Sequence, residues 1–414
     1  MAELCLVASH GSHPGSSDTI QEPIIIIDVY SATLRSDKDL YDASGLNLAS
    51  KVPLKSIKSP DGDTIDCVDI YHQPAFDHPL LKNHTIFMRP SYIPILDGES
   101  KMFNFTTDSQ EDSEQVTQPW QLNGECPDGT IPIIRTKKQN FLRASSIKSI
   151  PHQFSAHTQI TNGVNHEHAV AYVRNDIFYG ATATINAWKP QVQSRDEHSL
   201  AGIWITGGFY GLPANGIQAG WMVSPGIFGD SNARLFTYWT RDSYNSSGCY
   251  NLHCSGFVQV SKRLALGAAI HPTSTYHGSQ YIITISMWKD QKTDAWWLAF
   301  GKYTHIGYWP ASLFTTLAAT ATGIQWGGEV ISRSKMGQHT TTQMGSGHFA
   351  EEGFRGASYF RDLRVLDNNN VVNPPDELGN AADSQNCYNI KVGHSKTWGD
   401  FFYYGGPGKN PKCP

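Results

Sequence analysis

Residues 281–303, YIITISMWKDQKTDAWWLAFGKY, decide the fold. Two runs of β-branched and aromatic residues, 281–288 and 295–303, flank the polar link KDQKTD, which is the pattern of an antiparallel hairpin. The same period of two continues outward. In ARLFTYWT (233–240), Leu235, Thr237 and Trp239 face one way and Phe236 and Tyr238 the other. Strand-like runs recur after residue 155 with Gly, Asn, Ser and Asp between them. Only Pro310–Ala321 has helical spacing, through Leu313, Leu317 and Ala321. The expectation is an all-β chain whose larger part is an antiparallel two-sheet β-sandwich.

The first part has a different character. KSIKSPDGDTIDCVD (55–69) alternates around a Pro-Asp-Gly-Asp turn and predicts a hairpin. CPDGTIPIIRT (126–136) predicts a turn and a strand. Pro23–Tyr30 fits a strand, Lys38–Leu46 a short helix, and the acidic stretch 98–118 a flexible loop. Residues 1–154 carry 20 Asp/Glu against 13 Lys/Arg, net −7, whereas 155–414 carry 17 against 19, net +2. Ten of the 11 Trp follow residue 154, and RASSIKSIPHQF (143–154) serves as the linker between two domains.

With 39% hydrophobic and 17% charged residues, 37 Gly and 11 Trp, the composition excludes disorder and coiled coil. No run of about 18 apolar residues would span a membrane. A net charge of −5 without a basic stripe argues against a nucleic-acid partner. The seven cysteines, Cys5, Cys67, Cys126, Cys249, Cys254, Cys387 and Cys413, show no zinc spacing. Six group by region, leaving Cys5 over. Sequons stand at Asn83, Asn104 and Asn245. Paired cysteines and sequons together point to a secretory route. The opening MAELCLVASHGSHPGSS has too short and interrupted an apolar stretch for a signal peptide, so the expectation is a true start upstream or a disturbed amino terminus.

No G-x-S-x-G, H-E-x-x-H, phosphate-loop or G-x-G-x-x-G signature is present. His166 and His168 share a strand face but lack a third ligand at useful spacing, so a surface or hydrogen-bonded role is expected over a metal. Two other strands carry a polar side chain beside bare glycine. IQWGGEVIS (324–332) puts Gln325, Gly327, Glu329 and Ile331 on one face, and GIQAGWMVS (216–224) puts Gly216, Gln218, Gly220 and Met222 on one face. A gap in the side-chain layer beside a polar group is what a substrate groove needs, although a structural bulge makes the same pattern.

The segments QAGWMVSPGIFGD (218–230), LFTYWT (235–240), GCYNLHCSGFVQ (248–259), IGYWPASLF (306–314), WGGEV (326–330), QHTTTQMGSGHFAEEGF (338–354) and FYYGGPGKNPKC (402–413) resemble the neprosin family of plant glutamic peptidases, in order. IKSPDGDTIDCV (57–68), QPAFDHPLLKNH (73–84), CPDGTIPIIRT and FLRASSI (141–147) resemble that family's activation peptide, while residues 1–50 match poorly. The division implied is a prodomain over 51–150 and a peptidase domain over 152–414.

The resemblance implies a secreted or vacuolar zymogen that cleaves after proline at acid pH, with no metal or cofactor. Its catalytic carboxylate falls on Glu329. The partner position, glutamate in active members, is Gln218 here, and the neighbouring eqolisin family itself pairs Gln with Glu. Trp221, Trp326 and Tyr238 are the expected substrate-binding wall. The pairs Cys249/Cys254 and Cys387/Cys413 look like family disulfides, with Cys67/Cys126 stapling the prodomain. Partners would be a proline-containing peptide or protein, and the chain's own prodomain as intramolecular inhibitor, released as carboxylates protonate below about pH 4. The alternative is a silent extracellular module binding proline-rich or glycan ligands.

Overall fold

A computed structural model describes residues 51–94, 113–115, 117–135, 160–161, 164–208, 214–301, 304–332, 338–369 and 371–414. The strand and helix expected within 1–50, the 143–154 linker, Cys5 and Asn104 lie outside these residues. The small domain is a three-stranded antiparallel sheet of β1 (Lys55–Lys58), β2 (Thr64–Asp69) and β4 (Thr130–Ile134), with β2 central. Its first hairpin closes over Ser59–Asp63, where Ser59 N–H donates to Asp63 O at 2.9 Å and Gly62 supplies a φ of +93°. The Cys67–Cys126 disulfide packs with Ile57, Ile65 and Trp120, and this small core continues into Ala265 and Ala268 of the larger domain. Within the expected acidic loop, Ser113–Gln115 instead form β3 and pair with residues 280–282.

The larger domain is two stacked sheets. In chain order its strands are β5 (Ile160–Thr161), β6 (Val164–Phe178), β7 (Gly180–Asn186), β8 (His198–Gly207), β9 (Asn215–Val223) and β10 (Arg234–Thr240). β11 (Val258–Gln259), β12 (Gln280–Asp290), β13 (Ala295–Phe300), β14 (Thr304–Pro310) and β15 (Ala321–Ser332) follow. The last are β16 (Met344–Gly345), β17 (Ser358–Leu366), β18 (Val372–Asn373), β19 (Gly379–Ala382), β20 (Asn389–Ser395) and β21 (Gly399–Gly406). One sheet has the order β10-β9-β8-β15-β6-β19, with β5 on β6. The other runs β11-β14-β13-β12-β7-β17-β21-β16, with β3, β18 and β20 attached. Its centre contains the hairpin expected at 281–303, where Trp288 lies opposite Trp297.

Alternation packs one face of each sheet against the other. Trp221, Trp296, Trp309 and Trp326 belong to this inter-sheet core, while Trp288 and Trp297, in the alternate phase of their strands, face the other way; all six are almost fully buried. The Trp221 indole N–H crosses it to donate to Asn186 O at 3.0 Å. The helix expected at 310–321 is absent. Ala311–Leu313 and Thr316–Ala318 are single 3-10 turns between β14 and β15. Leu313 and Leu317 are buried as the spacing implied, but Phe314 is extended. Thr316 Oγ1 donates to Gly207 O at 2.7 Å, and Thr315 N–H to Asn215 Oδ1 at 2.7 Å, so strand ends take bonds a helix would have kept.

Glycines let the strands of the first sheet approach. A Cβ on Gly220 would stand 2.0 Å from Ala201 O, one on Gly202 2.6 Å from Ala219 O, and one on Gly327 2.3 Å from Ala169 O. Since the obstacle is backbone, Gly220→Ala is expected to lower unfolding free energy by about 1–3 kcal/mol. Urea denaturation measures it; an unchanged midpoint would refute the steric reading.

Candidate active site

The second face of the β10-β9-β8-β15-β6 sheet carries the polar residues. Strand pairing arranges them in three rows. The first holds Tyr238, Gln218, Trp204, Gln325 and Tyr172. The next is nearly bare, with Phe236, Gly220, Gly202, Gly327 and Val170. The third holds Arg234, Met222, Leu200, Glu329 and His168. Gln218 and Glu329 therefore stand on either side of a glycine floor. Two strand spacings of about 4.8 Å and four residues of about 3.3 Å separate their backbones.

Glu329 has no exposed surface. Its Oε1 receives His166 Nδ1 at 2.6 Å, and His168 Nε2 lies 3.7 Å from the same oxygen. His168 is itself fixed by Asp383, whose Oδ2 meets its Nδ1 at 2.9 Å and its backbone N–H at 2.8 Å. His198, on the same face of β8, lies opposite Ile331. Burial alone would push the Glu329 carboxyl up. The His166 hydrogen bond and the charges of His168, His166 and His198 outweigh it and hold the group below its ordinary value. The surroundings thus favour the ionised form of a carboxylate that is itself fully buried.

Gln218 is 2% exposed, and neither its Oε1 nor its Nε2 has a hydrogen-bond partner among the described residues. Trp204 Nε1 and both His198 ring nitrogens are likewise buried without a partner there. A buried polar atom left unpaired costs about 1–3 kcal/mol, so several on one face mark where something else is to bind. Tyr238 packs on Gln218 as its cross-strand neighbour, stacks on Tyr244 at 5.8 Å and meets Tyr250 edge-on at 4.8 Å. Burial raises the Tyr238 phenol, and the carboxylates of Asp242 and Glu329 add to that. The Glu329 charge therefore reaches across the glycine floor to the Gln218 side.

One expectation is revised. Trp221 and Trp326 do not line the groove: each alternates to the opposite face and is buried between the sheets. The aromatic wall is instead Tyr238, Trp204, Phe236, Tyr244 and Tyr250. His166 and His168 are hydrogen-bonded as expected, but they are buried, and their partners include Glu329 and Asp383. Among the described residues, the one grouping tight enough for a metal is His339 with Cys387 and Cys413, whose thiols are joined to each other. The remaining disulfide is Cys249–Cys254, and Asn83 and Asn245 are exposed. The His pair was visible as a period-2 H-x-H; its register with Glu329 was not.

Residues 195–407, more than half the chain, match the family model described as Neprosin, and residues 56–172 match Neprosin activation peptide. Among solved structures, scytalido-glutamic peptidase with a peptide-based transition-state analog is similar at 11% identity and a TM-score of 0.32, covering 59% of this chain and 99% of that one. SCP-B, a member of the eqolisin family of peptidases in complex with the tripeptide Ala-Ile-His, is similar at 10% identity and a TM-score of 0.31, covering 58% and 98%. At that degree of superposition no residue correspondence follows.

Burial pushes the His198 imidazole from 6.5 down to about 4, with Glu329 pulling the other way and His166 adding to the fall. An unfolded chain takes up this proton below pH 6.5 and the folded one does not, so stability drops as pH falls from 6.5 to 4 and levels off below. At about 1.4 kcal/mol per pH unit the loss is about 3 kcal/mol. Between pH 7 and 4, wild type is expected to lose that much more unfolding free energy than His198→Gln, measured in urea. Equal losses would show that His198 is not held neutral.

Proposed function

Because this chain belongs to the neprosin family and carries the activation peptide ahead of the neprosin domain, we propose that it is a glutamic peptidase zymogen whose chemistry is carried by Glu329 and Gln218. One observation carries this reading: a buried, unpartnered amide faces a buried carboxylate across a row of three glycines. In the reaction, Glu329 takes a proton from a water whose oxygen bonds to the scissile carbonyl carbon. The carbonyl oxygen gains the negative charge and accepts a hydrogen bond from Gln218 Nε2–H. As the C–N bond breaks, Glu329 returns the proton to the leaving nitrogen, giving a new carboxyl and a new amine. An amide donates at any pH, whereas a glutamate in its place donates only when protonated. Gln218 thus confines the pH dependence of the dyad to Glu329.

The finer features have separate support. Action in acid is favoured by the histidines, which keep the base ionised below the usual carboxylate range. Cleavage after proline rests on the family resemblance and on an aromatic wall suited to a pyrrolidine ring. Secretion is supported by three disulfides and by exposed Asn83 and Asn245. Inhibition by the prodomain is supported by its docking. Gln73 exchanges hydrogen bonds with the Gln259 backbone at 2.7 and 3.1 Å, and Asp63 pairs with the buried Arg234 at 2.7 Å. Ser91 N–H and Oγ–H donate to Asp290 at 2.5 and 2.6 Å.

These contacts respond to acid in opposite senses. Asp63 is raised, mainly by burial against the pull of Arg234, so its protonation favours the docked form. Asp290 is lowered, Ser91 outweighing burial, so docking through it weakens as pH falls through its depressed value. Of these two contacts, the Asp290–Ser91 pair is the one that acid weakens. Ser91→Ala is expected to reduce the difference in prodomain retention between pH 7 and pH 3, measured by size-exclusion chromatography of the cleaved protein. An undiminished difference would place the acid response elsewhere.

On a proline-containing peptide at acid pH, Glu329→Ala is expected to abolish hydrolysis, and Gln218→Ala to lower kcat about 10²–10³-fold. Full activity of Glu329→Ala would remove the dyad assignment. An inert wild type beside an active Gln218→Glu would establish the silent-module reading.

A further inference from the structure

We propose that His166 is a positioning residue for Glu329: it fixes one carboxylate oxygen and keeps that carboxylate charged, with His168, oriented by Asp383, as a second support. This rests on Glu329 being the general base. The four side chains form an alternating series of carboxylate and imidazole, from Asp383 through His168 and Glu329 to His166, with steps of 2.9, 3.7 and 2.6 Å. Both imidazoles address the same atom, Oε1. A carboxylate rotating about its last bond would exchange the two oxygens. The 2.6 Å contact at Oε1 prevents this.

The strand geometry makes the arrangement rigid. His168 pairs directly with Glu329 across β6 and β15, and His166 is its next neighbour on the same face, opposite Ile331. Both are buried, and Asp383 is 16% exposed at its side chain, so the series ends near solvent. Among the described residues, the other titratable groups whose charge or proton bears on Glu329 are His198 from β8, Tyr238 from β10 and Tyr244 from the following loop. Burial pushes the His198 imidazole down to about 4 and raises the two phenols, whereas His166 and His168 both meet Glu329 Oε1 directly.

Three variants test this. His166→Ala removes donor and charge, His166→Asn keeps a donor near the Nδ1 position without charge, and Asp383→Asn loosens His168. The acid limb of kcat/KM is expected to move to higher pH in His166→Ala, giving at least a tenfold loss at pH 3 with KM little changed. His166→Asn should recover activity at the optimum but keep the shifted limb, and Asp383→Asn should shift it less in the same direction. A limb that stays in place, or a loss uniform across pH in a folded His166→Ala, would overturn the proposal. The imidazole titration of His166, followed by NMR in wild type and Glu329→Gln, reads the pair without any assay. Should His166→Ala not fold, this titration and the His166→Asn profile decide. An unmoved titration in Glu329→Gln overturns the pairing whatever the peptide assay shows. A moved titration beside an inert wild type keeps the pair and removes the peptidase reading.

Discussion

A carboxylate with no exposed surface has to be compensated, and the site face is organised around that constraint. Isolated in a low-dielectric interior, an ionised Glu329 would be unfavourable by many kcal/mol, and the usual escape is to take up a proton. His166 and His168, next neighbours on one strand, oppose that escape at Oε1. Burial pushes His198 down to about 4, so it remains uncharged where an ordinary imidazole would be cationic. The anion, its hydrogen-bonded partner and the neutral third ring are one electrostatic unit, so a change at any of them is felt at the others.

The floor between Glu329 and Gln218 follows from a second constraint, steric rather than electrostatic. Gly220, Gly202 and Gly327 lie in register on three adjacent strands, and neighbouring carbonyls occupy the space where their side chains would begin. That residue choice allows the strands to sit as they do and leaves no side chain in the row between Gln218 and Glu329. Tyr238, Tyr244 and Tyr250 stand on the Gln218 side, bracing one another through ring contacts.

How far this was legible from sequence differs by the range of the interaction. Period-two alternation at 281–303 identified the sheet architecture, and the hairpin at 55–69 forms with Lys55 opposite Cys67. Alternation also put Gln218 and Glu329 each beside glycine. Which strands are neighbours is set by long-range pairing that no local pattern encodes, so the meeting of His166 with Glu329, 163 residues apart, was out of reach. Trp221 and Trp326 are a different case. The same alternation that placed Gln218 and Glu329 on the groove puts these indoles on the other face, where the inter-sheet core needs their bulk. At 310–321, buried Leu313 and Leu317 at helical spacing were outweighed by threonine hydrogen bonds to strand ends.

The Cys67–Cys126 bridge spans 59 residues of the prodomain and joins two of the elements that dock it. A single cut inside that span leaves both halves covalently joined, whereas a cut on the carboxyl-terminal side of Cys126 parts the bridged segment from the larger domain as one body. On the zymogen reading proposed above, the bridge would thus separate loosening of the small domain from its release.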